Sequence, residues 1–155
     1  MWIEAGFSQV AQALLWPVLV LVGLAFVYAL WLGGRTLMEG WQRRGGRYAS
    51  LPSNDASLSL EELELAVVRQ LEPVRLLSRL SPMLGLIATM IPLGPALQSV
   101  AAGQGQQALA VFSSAFAGVV LALAAASVGL TVYSVRRRWL LAELLDVRKA
   151  RGVAA

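Results

Sequence analysis

The side chains in this sequence that are equipped for chemistry are few and chemically mild. It has no cysteine and no histidine, which excludes disulfides, thiol chemistry, the commonest metal ligand and the one side chain that titrates near neutrality. No Asp, Glu, Lys or Arg lies between Glu4 and Arg35, or between Arg79 and Arg136. Within those uncharged stretches the polar groups are hydroxyls and backbone. Thr89, Ser113 and Ser114 are the hydroxyls of interest, and Pro92 and Pro95 release the carbonyls of Ala88 and Ile91 from their usual helix bonds. A released carbonyl beside a hydroxyl can line a polar passage for an ion. The same residues also have a plainer reading, because prolines and small residues are common in membrane helices and serve packing. Ser113, Ser127 and Thr131 are the weaker signals, since a membrane Ser or Thr usually bonds back to its own helix. No nucleophile and base pair and no metal-ligating cluster is apparent. The chain therefore reads as a non-enzyme without metal or cofactor.

The elements that must position these groups follow from composition. Hydrophobic residues make up 57% of the chain and charged residues only 14%, against about 25% charged in an ordinary soluble domain. Such a chain cannot coat itself in water. The net charge of +4 comes from arginines that flank the apolar runs, so they read as topology signals and not as a nucleic-acid-binding surface.

The expected fold class is all-α, an integral membrane protein with three transmembrane helices in a single membrane domain over residues 1–155. The first span runs from Val10 to Gly33, roughly 36 Å at about 1.5 Å per residue. Pro17 should kink it, while Trp16, Tyr28, Trp31 and Trp41 fall near its ends, where amphipathic rings prefer the interface. Met1 to Gln9 contains Glu4 and no Lys or Arg, unlike a cleavable signal peptide, so this span is expected to be retained. A polar segment, 34–79, follows. Its basic stretch Arg43 to Arg47 and turn-rich Ser50 to Asp55 should be loop. Over 59–79, Ser59 and Glu62 have capping-box spacing, and Leu60, Leu63, Val67 and Leu71 form one apolar face, the pattern of an amphipathic helix interrupted near Pro73. The second span, about 81–100, opens with Ser81 as N-cap and Pro82 at the first helical position. An outer turn at 101–107 leads to the third span, about 108–135, which continues into an amphipathic helix over 136–151. On this third span Ser114, Gly118, Ala122 and Ala126 lie four apart, a small-residue stripe for helix packing. The middle segment carries seven Lys or Arg and the tail six, with none before the first span or in the turn. The positive-inside rule then puts the N-terminus and turn outside and the middle segment and C-terminus in the cytoplasm.

One stretch, Ser81-Pro82-Met83-Leu84-Gly85-Leu86-Ile87-Ala88-Thr89-Met90, resembles the start of the second span in the ExbB and TolQ subunits of the MotA/TolQ/ExbB family, which typically reads Ala-Pro-Leu-Leu-Gly-Leu-Leu-Gly-Thr-Val. The order of elements over roughly residues 59–150 is similar too, and three spans look closer to ExbB or TolQ than to four-span MotA. The resemblance implies a homopentamer in the cytoplasmic (inner) membrane. Its second and third spans would surround the single helices of an ExbD-, TolR- or MotB-like partner that carries a membrane Asp. It further implies an ion-driven stator or channel subunit, with the proton as the usual ion, in which Thr89 is the pore-facing threonine and Gly85 and Pro82 the motif glycine and proline. The sequence departs from the family pattern at several points. Pro92 stands where the family usually has glycine, Ala88 replaces the glycine before the threonine, and the second pore threonine of the third span falls on Ala115 or Val119, with Ser113 or Ser114 as substitute hydroxyls. The alternative function is a holin-like or scaffold membrane protein without ion coupling, whose Gly and Ala faces simply pack.

Overall fold

The structure, a computed structural model, describes residues 2–45 and 59–152. Of the stretches expected as loop, Ser50 to Asp55 lies outside them, whereas Arg43 and Arg44 are helical and close the first helix, where basic side chains complement the helix dipole. Three helices account for nearly all of the described chain: α1 (Trp2–Arg44), α2 (Leu60–Ala101) and α3 (Gly105–Ala150). All three are long and apolar enough to cross a membrane, as expected of a multi-pass membrane protein. They contain 43, 42 and 46 residues, so each is more than 60 Å long at about 1.5 Å per residue, roughly twice the thickness of a bilayer's hydrocarbon core. Each helix therefore has room both to cross and to project.

Local sequence explains the ends of α2. Ser59 is extended, its hydroxyl accepts the Glu62 N–H at 3.2 Å, and its own N–H donates to Glu62 Oε2 at 2.8 Å, which completes the capping box. At the other end the Ala102 N–H donates to Gln98 O and the Gln104 N–H to Ser99 O, with Gly103 at φ +77° making the reversal that a side chain would resist. The turn is thus shorter than the sequence suggested, because α3 starts at Gly105.

The expected break between a surface helix and the second span is absent. Helix α2 runs without interruption through Pro73, Pro82, Pro92 and Pro95. Ser81 is no cap, for it is buried and its hydroxyl donates to Leu77 O at 2.7 Å. Pro73 removes the bond to the Arg69 carbonyl, and both residues are exposed, so water can satisfy the freed oxygen. Pro82 is carried through because the residues around it, Ser78, Ser81 and Gly85, are all buried in the bundle. Continuous packing outweighs the local cost of each proline.

Packing follows a regular alternation of three and four residues. Between Val67 and Ala88 of α2 the buried positions are Val67, Leu71, Val74, Ser78, Ser81, Gly85 and Ala88; on α3 they include Ala115, Gly118, Ala122, Ala125, Gly129 and Val132. On α1, Ala29, Leu32, Thr36 and Glu39 keep the same spacing. This period of 3.5 keeps a seam facing its neighbour, as in left-handed coiled coils. Helix α3 contacts both others, and its pairing with α2 is the more extensive. Gly118 lies against Leu19, Gly33 against Val128 and Gly40 against Trp139. Helix α1 therefore runs parallel to α3, and the arginine-bearing ends of all three helices coincide.

The seam changes character along its length. In the uncharged part Gly85 meets Ala122, Gly118 meets Ala88, and Gly129 meets Ser78. In the charged part Leu63, Val67 and Leu71 pack on Leu140, Leu144 and Val147. Between them sit Leu32, Val74 and Val132. A Cβ added at Gly85 would lie 2.8 Å from the Ala122 Cβ. Gly85→Ala should therefore destabilise the hairpin by about 1–3 kcal/mol, and adding Ala122→Gly should recover much of the loss. Thermal unfolding of the detergent-solubilised variants checks this, and equal losses in the single and double variants would show that no clash exists.

Candidate functional site

Thr89 is half-buried on α2, while Ser113 and Ser114 are exposed on α3. Because Gly118 faces Ala88 and Ala122 lies against Gly85, Ser114 stands about one helical turn from the level of Thr89, toward the α2–α3 turn. The hydroxyls of Thr89 and Ser114 are turned to their own helices. Thr89 Oγ1 donates to Leu86 O at 2.8 Å and lies 3.5 Å from Gly85 O, and Ser114 Oγ donates to Val111 O at 2.9 Å. Pro92 and Pro95 are half-buried, and Ser99 Oγ donates to Pro95 O at 3.0 Å. Donating to Leu86 O leaves the lone pairs of Thr89 Oγ1 able to accept, and only to donate elsewhere must the hydroxyl leave Leu86 O, a side-chain rotation rather than a backbone change.

The motif residues divide differently. Gly85 is buried in the seam with Gly118, Ala122 and Ala126, and Pro82 is half-buried. The four-residue stripe drawn from the sequence drifts about 40° at each step, because four residues exceed one turn. Ser114 consequently leaves the seam, and Ala115, Ala125 and Gly129 enter it. A count in alternating threes and fours would have found these residues. This seam joins α3 to α2 and α1 of the same chain, so its small residues are used inside the subunit.

Two features were not singled out in the sequence. The first is a set of ion pairs at the charged end. The Glu39 side chain is 8% exposed and accepts Arg136 at 2.6 Å and Arg35 at 3.1 Å. Arg43 pairs with Glu143 at 2.6 Å, its guanidinium 4.6 Å from the Trp139 ring centroid, and Arg148 pairs with Glu64. The Glu39 contacts tie α1 to α3 just past the uncharged segments, the Arg43 and Glu143 pair does so farther along, and the Arg148 and Glu64 pair ties α2 to α3 near the far ends of the helices. A local signal existed only for Arg35 and Glu39, which are four apart on one helix.

The second is a groove of about 960 Å³ between α1 and α3. Its walls include Gly33, Thr36, Leu37 and Trp41 from α1, and Ser127, Thr131 and Trp139 from α3, with Arg43 and Arg44 at one end. Gly33 and Gly40 let the helices approach, since added Cβ atoms would lie 3.2 Å from Val128 and 3.1 Å from Trp139. The hydroxyls of Thr36, Ser127 and Thr131 donate to Leu32 O, Leu123 O and Ser127 O at 2.8, 2.8 and 2.9 Å. With their protons taken up in this way, the wall offers mainly methyl groups and rings. Among the described residues, no group of three or more His, Cys, Asp or Glu side chains is placed to hold a metal ion.

No family model, curated protein or solved structure matches the chain.

The geometry ranks the ion pairs. Arg136 and Glu39 are 17% and 8% exposed, whereas Arg148 and Glu64 are 39% and 45% exposed. Arg136→Gln should cost about 2 kcal/mol through the loss of a shielded charged hydrogen bond, and Arg148→Gln less than about 1 kcal/mol. Melting of the two variants in nanodiscs tests the ranking. Equal effects would mean that water reaches both sites alike.

Proposed function

We propose that this protein is a subunit of an ion-driven, and specifically proton-driven, stator or channel complex. It would assemble as a pentamer around the single helices of a partner similar to ExbD, TolR or MotB. The observation that carries this reading is the combination on α2 of Thr89, Pro92 and Pro95 within a membrane-crossing segment that holds no ionisable side chain. Intramembrane ionisable groups are the usual carriers of transported protons, so a second chain has to supply the titrating carboxyl, and the Thr89 hydroxyl and the Ile91 carbonyl freed by Pro95 would solvate it, whereas the Ala88 carbonyl is buried in the seam. The likeness of Ser81 to Met90 to the second span of ExbB and TolQ supports the same reading. The arginine distribution supports an N-out, C-in arrangement in the cytoplasmic (inner) membrane, with the charged ends of α1, α2 and α3 as cytoplasmic amphipathic extensions. The mechanism is electrostatic. One elementary charge crossing about 100 mV releases roughly 2.3 kcal/mol, and each protonation of the partner's Asp would let its helix step past successive subunits.

One observation favours a second reading, that of a holin-like or scaffold assembly without ion coupling. The hydroxyls of Thr89, Ser114, Ser127 and Thr131 all donate to their own helices, as purely structural hydroxyls do.

Native mass spectrometry of the nanodisc complex, purified with and without its genomic neighbour, separates the two readings. Five copies, or five copies with two of a one-span partner, are expected, while a monomer, a dimer or rings of variable size would favour the scaffold. Thr89→Val should abolish ion-coupled activity and leave the assembly mass unchanged; retained activity would remove Thr89 from the ion path.

A further inference from the structure

We infer that the groove between α1 and α3 is a binding site for one anionic phospholipid, seated at the charged end of the bundle. The inference concerns membrane placement and does not depend on ion coupling. The groove begins at Gly33 and Ser127, inside the uncharged segments, and ends at Arg43 and Arg44. At about 1.5 Å per residue it runs some 16 Å along α1, across the level where hydrocarbon must give way to headgroups. Its chemistry changes along the same line. The deeper part is methyl groups and aliphatic side chains, with Leu37 78% exposed, and the far end carries Trp41, 76% exposed, beside exposed Arg44. An acyl chain suits the first part, and an interfacial indole with a guanidinium suits the phosphate end.

Charge selects the occupant. Over 35–44 of α1 and 136–143 of α3 there are six arginines against two carboxylates, Glu39 and Glu143. Both carboxylates are already paired with arginines. The surplus is therefore cationic at the depth where phospholipid phosphates lie. A second copy of the chain would bring the same cationic surplus to the same depth, which disfavours it as the filler, whereas an anionic lipid complements the site.

The test uses the full chain in nanodiscs containing equal amounts of phosphatidylglycerol and phosphatidylcholine, with native mass spectrometry recording the lipid kept per subunit as the bilayer is stripped. Preferential retention of phosphatidylglycerol is expected. Arg44→Gln should reduce that retention roughly five-fold, and Thr131→Trp should also reduce it by filling the groove. Arg137→Gln removes an exposed arginine that does not line the groove and should change retention little. Both arginine substitutions are at exposed positions, so they test the site without disturbing the seam. Equal retention of the two lipids would overturn the proposal, and so would equal losses in the Arg44 and Arg137 variants, which would mean diffuse attraction. Disulfide cross-linking between copies carrying Leu37→Cys, with no retained lipid, would assign the groove to a neighbouring subunit instead.

Discussion

Of the described glycines, Gly85 on α2 is the most tightly covered, since a Cβ added there would lie only 2.8 Å from the Ala122 Cβ of α3. Inside a bilayer, burying an apolar side chain gains nothing over leaving it in lipid, so helices associate through dispersion contact and need small residues to come close. Gly85, Ala88, Ala115, Gly118, Ala122 and Ala125 meet that need. With α2 and α3 in register at this contact, the positions of the turn, the charged ends and α1 follow.

The seam beyond the uncharged segments obeys different physics. Charged residues flank this part, and wherever such a surface meets water, burying Leu63, Val67 and Leu71 against Leu140, Leu144 and Val147 is rewarded by removing apolar area from it. The change from Ala and Gly to Leu and Val occurs within single unbroken helices and coincides with the first arginines. The ion pairs of Glu39 and Glu143 stand past that level, where water can still solvate the charges and α1 can be fastened to α3 without carrying them into hydrocarbon. Proline tolerance in α2 has the same origin, since a helix packed along its whole length keeps its course through Pro73 and Pro82.

The hydroxyls bear on function more indirectly. A Ser or Thr in a span satisfies itself on the preceding turn, and Thr89, Ser114, Ser127 and Thr131 do so. A resting hydroxyl of this kind can still accept through its free lone pairs, and it donates to a pathway only when a stronger acceptor, such as a carboxylate, draws it away. The groove poses the opposite situation. Its hydroxyls are satisfied, its walls are apolar, and its polarity is concentrated in arginines at one end.

By itself the sequence determined the three spans, because runs free of charge and longer than a bilayer have few other fates, and it determined the capping box at Ser59 and Glu62, which is a contact between near neighbours. Leu63, Val67 and Leu71 were also legible as an apolar face, since helical period alone aligns them. Tertiary structure decided what depends on a neighbour. Ser81 reads as a cap until α3 covers it. Ser114 reads as part of a stripe until the partner helix imposes a period of 3.5 in place of 4. Glu39 finds Arg136, 97 residues away, and the α1–α3 groove needs two helices to have walls. Local rules follow hydrogen bonds and periodicity along one chain segment, whereas register, burial and concavity are properties of pairs of helices, and only packing assigns them.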